Sequence, residues 1–149
     1  MTGRLLESIV FGKTTVAWEG EMRYLPYKEA FTFCKEHQPC GWNPTDPPTR
    51  AGSNLYASIA LKLEETIGEF DWEKELRFFS AIGSPLDVFH GIDGWFEFQG
   101  RVVTFDLTAN TAKADGYKAK VILLYEDDDN SEITLHGIER IPDLLLGAA

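Results

Sequence analysis

Apolar and polar residues alternate most clearly over Asp93-Gly94-Trp95-Phe96-Glu97-Phe98-Gln99-Gly100-Arg101-Val102-Val103-Thr104-Phe105-Asp106-Leu107-Thr108. Successive side chains of a strand point to opposite faces, so Phe96, Phe98, Val103, Phe105 and Leu107 form one wholly apolar face. Asp93, Trp95, Glu97, Val102, Thr104, Asp106 and Thr108 share the other. Gln99-Gly100 reads as a two-residue hairpin turn, because such turns require positive φ and favour glycine. That turn sets Asp93 opposite Asp106.

Other elements follow from the same patterning. Pro26-Tyr27-Lys28-Glu29-Ala30-Phe31 opens a short helix that runs to about Glu36. Residues 38–53 hold Pro39, Pro44, Pro47, Pro48 and Gly52, a density that predicts an irregular loop. Ser53 or Asn54 then caps a helix with Leu55, Ile59, Leu63 and Ile67 at four-residue spacing, ending at Gly68. A strand is expected over Leu76–Ala81, then a turn at Gly83-Ser84-Pro85. Beyond the hairpin, a crossover leads to the apolar run Lys120–Tyr125, the pattern of a strand buried on both faces. A weaker strand at Ser131–Leu135 and a helix around Ile138–Leu146 close the chain.

The order predicts an α/β fold with a mixed β-sheet and flanking helices. At 149 residues one domain is expected over 1–149, long enough to bury a substantial core. Residues 1–52 read as an N-terminal extension carrying the Pro-rich loop, 53–125 as the core, and 126–149 as an acidic loop, strand and C-terminal helix. With 44% of its residues hydrophobic and 13% aromatic, the chain is globular rather than disordered. The start Met1-Thr2-Gly3-Arg4 lacks a signal-peptide pattern and no run reaches the length of a membrane span, so a cytoplasmic protein with no membrane partner is expected. Cys34 and Cys40 are then expected as reduced thiols. Neither has the second Cys or His pairs of a zinc site.

Opposed residues of a hairpin have Cβ atoms roughly 4.5–5.5 Å apart, and like charges there repel. Asp93 and Asp106 therefore allow two readings. One is a solvated outer face, where water screens the repulsion to about 1 kcal/mol. The other is a divalent cation between them: carboxylates on rigid strands are hard oxygen ligands, suited to Mg²⁺ or Mn²⁺.

With helix, strand, hairpin, crossover and buried strand in that order, Gly91-Ile92-Asp93 and Phe105-Asp106-Leu107-Thr108 resemble the signature of the PD-(D/E)XK nuclease superfamily. The resemblance covers roughly residues 53–125. It implies a restriction-endonuclease-like α-β-β-β-α-β core and metal-dependent hydrolysis of phosphodiester bonds in DNA or RNA. Asp93 and Asp106 would then be metal ligands, and Glu64 or Glu65 the helix acid. The position expected to hold lysine is Thr108, and Lys113 in the following element is the replacement candidate. Without a reachable lysine the domain would be an inactive relative.

Remaining residues give weaker signals. His90 lies three positions before Asp93, as a third ligand, a proton carrier or a structural histidine. Asp87 either joins the acids or caps a turn. Trp42 and Tyr56 either stack on bases or cover the core. Trp95 shares the aspartates' face and is expected to pack. No Ser-His-Asp arrangement, phosphate-cradling glycine loop or heptad repeat occurs. The net charge of −10 opposes nucleic acid binding unless charge is locally reversed, as Lys113, Lys118 and Lys120 would allow. Glu126-Asp127-Asp128-Asp129, expected as a solvated acidic loop, supports an alternative: a non-enzymatic inhibitor or immunity-type protein that engages a basic protein partner.

Overall fold

A strand with apolar residues on both faces must be covered on both sides, and this sheet is. The computed structural model describes residues 24–38, 50–108, 119–127 and 133–147. In chain order they form α1 (Tyr27–Glu36), α2 (Arg50–Ile67), α3 (Trp72–Glu75), β1 (Leu76–Ser80), α4 (Pro85–His90), β2 (Gly94–Phe98), β3 (Arg101–Thr108), β4 (Val121–Asp127), β5 (Ile133–His136) and α5 (Arg140–Leu145). The described strands make one mixed sheet in the order β1-β2-β3-β4-β5. β1, β2 and β3 run as an antiparallel meander, β4 lies parallel to β3, and β5 returns antiparallel to β4.

The hairpin closes as expected. Gln99 and Gly100 carry φ of 49° and 80°, both positive, as the commonest two-residue turn requires. The register pairs Phe98 with Arg101, Trp95 with Thr104 and Gly94 with Phe105. Phe96, Phe98, Val103, Phe105 and Leu107 then pack with Leu76, Phe78, Val121 and Leu123 beneath α2 and α5. From α2 come Leu55, Ile59 and Leu63, three of the four-residue series, while Ile67 is exposed. Tyr56 is buried too, its hydroxyl donating to the carbonyls of Leu76 at 2.7 Å and Trp72 at 3.0 Å. It serves the core rather than a base-stacking surface.

The opposite face of the sheet is also dry. Phe79, Ala81, Ile92 and Trp95 cluster with Ala30 and Cys34 of α1 and Leu86 of α4. Trp95 lies parallel to Phe79, with centroids 4.9 Å apart, and its other side meets Phe31 at 4.2 Å. Part of the segment read as an N-terminal extension thus supplies the layer over this face. Gln38, just after α1, reaches the outer edge of β1. Its Oε1 accepts the Ser80 N–H and its Nε2 donates to the Ser80 carbonyl, both at 2.8 Å.

Several boundaries differ from expectation. α2 begins at Arg50, ahead of the expected cap at Ser53 or Asn54. The segment after Gly83-Ser84 is helical, with Pro85 at its first turn and Gly91 ending it at φ 68°. β4 continues through Glu126 and Asp127, so half of the acidic run belongs to a strand rather than a loop. Asp128 and Asp129 lie outside the described residues.

Candidate functional site

Asp93 stands one residue before β2, where β2 and β3 begin to part. Its backbone joins three strands at this point: the N–H donates to Phe105 O at 2.9 Å and the carbonyl accepts the Ala81 N–H at 2.8 Å. Its carboxylate Oδ2 accepts the N–H of Leu107 at 2.7 Å. A side chain thus takes over hydrogen bonding beyond the last ladder pair, Gly94 with Phe105. Gly94 is required beside it, because a Cβ there would meet Phe79 O and the Phe105 ring at 2.7 Å.

Asp106 occupies β3 between Phe105 and Leu107, on the face turned from the phenylalanine core, and its backbone is in register with Ile122 of β4. Asp93 and Asp106 are 1% and 3% exposed. This overturns the solvated-face reading, because both side chains are shut away from water. Removing carboxylates from water is costly unless their charge is compensated. At an effective dielectric near 20, unit charges 5 Å apart repel by roughly 3 kcal/mol.

The other candidates are distributed differently. Glu64 accepts a hydrogen bond from the indole Nε1 of Trp72. It lies on α2, which packs on the phenylalanine face, and its partner precedes the start of β1, whereas Asp93 neighbours the end of β1. The structure therefore does not bring Glu64 to the aspartates. Glu65 is exposed. Lys113 lies outside the described residues, as do Lys118, Cys40 and Trp42.

His90 is buried between α1 and α4, with Nε2 2.7 Å from Leu25 O and its ring against Tyr24 and Tyr27. Asp87 accepts the Gly83 N–H at 2.9 Å, stabilising the turn that leads into α4. Cys34 is buried, unbridged, and donates to Ser80 O at 3.1 Å. Burial pushes its thiol up to about 12, with the nearby Asp87 charge adding to the rise. It is a neutral core thiol at ordinary pH, not a nucleophile.

One feature of this face carried no recognised sequence signal. A pocket of about 400 Å³ opens between α1 and the β3–β4 junction, lined by Tyr27, Lys28, Phe31, Val102, Thr104 and Lys120, with Thr32. The spacing of Tyr27 and Phe31, one helical turn apart, and the alternation of Val102, Thr104 and Asp106 on β3 were the available clues. Thr104 Oγ1 accepts the Lys120 N–H at 3.0 Å, and Lys120 Nζ donates to Val102 O at 2.9 Å, fastening the approach to β4 along β3.

Two buried carboxylates are a donor set that Mg²⁺ accepts, since it is commonly held by one or two carboxylates with water completing the shell. Among the described residues, no group of three or more His, Cys, Asp or Glu forms. Comparison with protein families, with curated proteins and with solved structures gave no match. Among the described residues, no helix is long and apolar enough to cross a membrane.

Proposed function

We propose that this protein is a metal-dependent phosphodiesterase of the PD-(D/E)XK kind, acting on DNA or RNA with Asp93 and Asp106 as the carboxylates for Mg²⁺ or Mn²⁺. The observation that carries the reading is the burial of both aspartates, one just before β2 and the other within β3. Asp93 has a structural bond to Leu107, and a cation shared with Asp106 would further offset the cost of burying two carboxylates. The antiparallel β1-β2-β3 meander with β4 parallel to β3 agrees with the core that the resemblance implies.

Asp93 and Asp106 would hold the cation, whose chemistry there would be to lower the pKa of a water and offset charge on the phosphate. Asp93 is held in place by the Leu107 N–H, so its carboxylate is oriented before any ligand arrives. Asp106 is set within β3, paired with β4 at this position, and its side chain is buried. Lys113 is the residue assigned to orient the attacking water, in place of the lysine absent at Thr108.

The test is thermal unfolding in Mn²⁺ or Mg²⁺ against EDTA, for wild type and Asp106→Asn. A ligand at 100 times its dissociation constant adds about 2.7 kcal/mol. Stabilisation of wild type alone, with cleavage of a mixed DNA and RNA substrate panel, is the expected result. No metal effect, together with a more stable Asp106→Asn, overturns the proposal.

A further inference from the structure

The pocket between α1, β3 and Lys120 brings two features together. Two aromatic rings, Tyr27 and Phe31, form part of its lining with centroids 6.1 Å apart. Two lysines, Lys28 and Lys120, complete it, in a chain whose net charge is −10. Both lysines are exposed, so their charges face the solvent from which a ligand would come. Lys120 is further oriented by its bond to Val102 O. The volume, about 400 Å³, falls within the range of small-ligand sites.

Position adds the decisive constraint. Thr104, in the pocket lining, and Asp106 are two residues apart on the same face of β3. A strand advances about 6.6–6.8 Å over two residues, so the backbone of Thr104, in the lining, stands about one extended nucleotide from that of Asp106. We infer that this pocket is the subsite for one unpaired nucleotide next to the scissile phosphate, making the substrate a single-stranded polynucleotide. This rests on the reading of Asp93 and Asp106 as the hydrolytic site.

The chemistry selects single strands over duplex. A base can lie on an aromatic ring only when its own face is free, whereas duplex bases are stacked on one another. Lys28 and Lys120 hold the phosphates on either side, which offsets the repulsion that a −10 protein exerts on a polyanion. The shared ligand chemistry, a stackable base with flanking phosphates, is found in both DNA and RNA.

The experiment is fluorescence anisotropy with labelled single-stranded DNA, single-stranded RNA and duplex DNA of one sequence. It is done in EDTA, so binding is read without cleavage. Wild type should bind one or both single strands at least tenfold more tightly than the duplex. Lys28→Gln with Lys120→Gln, which keeps an amide donor toward Val102 O, should weaken that binding about tenfold or more. It should also reduce the salt slope by about 1.4, two phosphate contacts' worth on a single strand. Tyr27→Ala should weaken binding without changing the slope. Equal affinity for duplex, or binding unaltered in the lysine pair, overturns the inference. Because metal is absent, failure here is separate from failure of metal to stabilise the protein, which would count against the hydrolytic reading instead.

Discussion

The carboxylate of Asp93 accepts the backbone N–H of Leu107 at 2.7 Å, closing the mouth of the β2–β3 hairpin with a side chain. Asp93 is therefore structural before it is chemical. In EDTA, Asp93→Ala should lose about 2 kcal/mol of stability, the cost of a buried N–H left without its acceptor. Asp93→Asn retains an oxygen acceptor and should lose less. Urea unfolding of the two variants checks this; a stabilised alanine variant would mean that relief of charge outweighs the hydrogen bond.

Binding and turnover should separate at Lys113. Lys113→Ala is expected to leave the Mn²⁺-induced rise in melting temperature intact while abolishing cleavage, because the residue is assigned to the water and not to the metal. Asp106→Asn should remove both. A Lys113→Ala variant with full activity would return the role of the missing lysine to another group.

Cys34 predicts a pH dependence. Its folded-state value is raised to about 12 from an ordinary 9, so the native protein holds this proton more tightly than the unfolded chain. The resulting stability is fully present below about pH 9 and is lost as pH rises from 9 toward 12. Cys34→Ala should be less stable at neutral pH, because it loses packing and the bond to Ser80 O, yet show a shallower decline above pH 9. Denaturant unfolding at pH 7, 9 and 10.5 measures the difference. Alkylation of Cys34 by iodoacetamide should be slow until the protein unfolds.

Two glycines of the hairpin should fail for different reasons. Gly100→Ala meets no atom within 4 Å but forces an L-residue to φ 80°, at a cost of about 1–2 kcal/mol. Gly94→Ala drives a methyl into Phe79 O and the Phe105 ring, and about 3 kcal/mol is expected from overpacking. The equilibrium stabilities of the two variants should rank in that order.

How far the sequence carries differs between elements. The α1 bounds and the hairpin register follow from local chemistry: a proline at a helix start, a turn glycine and strict alternation. α4 was missed because its six residues give no usable period, although Pro85 after Ser84 was a helix-start signal. β4 was cut short because Glu126 and Asp127 look like loop residues, while pairing with β5 keeps them in the sheet. The burial of Asp93 and Asp106 is a tertiary outcome: alternation puts them on the face away from the phenylalanines, and no local pattern says that this face is covered. Glu64 or Glu65 as the helix acid comes from the resemblance alone, and the hydrogen bond of Glu64 to Trp72 is a tertiary contact that the sequence does not signal.

Gln38 has a consequence for self-association. A sheet edge invites another chain to add itself wherever a main-chain donor and acceptor stand open together. At Ser80 the primary amide of Gln38 already meets both groups, behaving like one residue of a strand that goes no further. Edge-to-edge addition at Ser80 must therefore first expel that amide, and with it the Cys34 thiol that shares the Ser80 carbonyl.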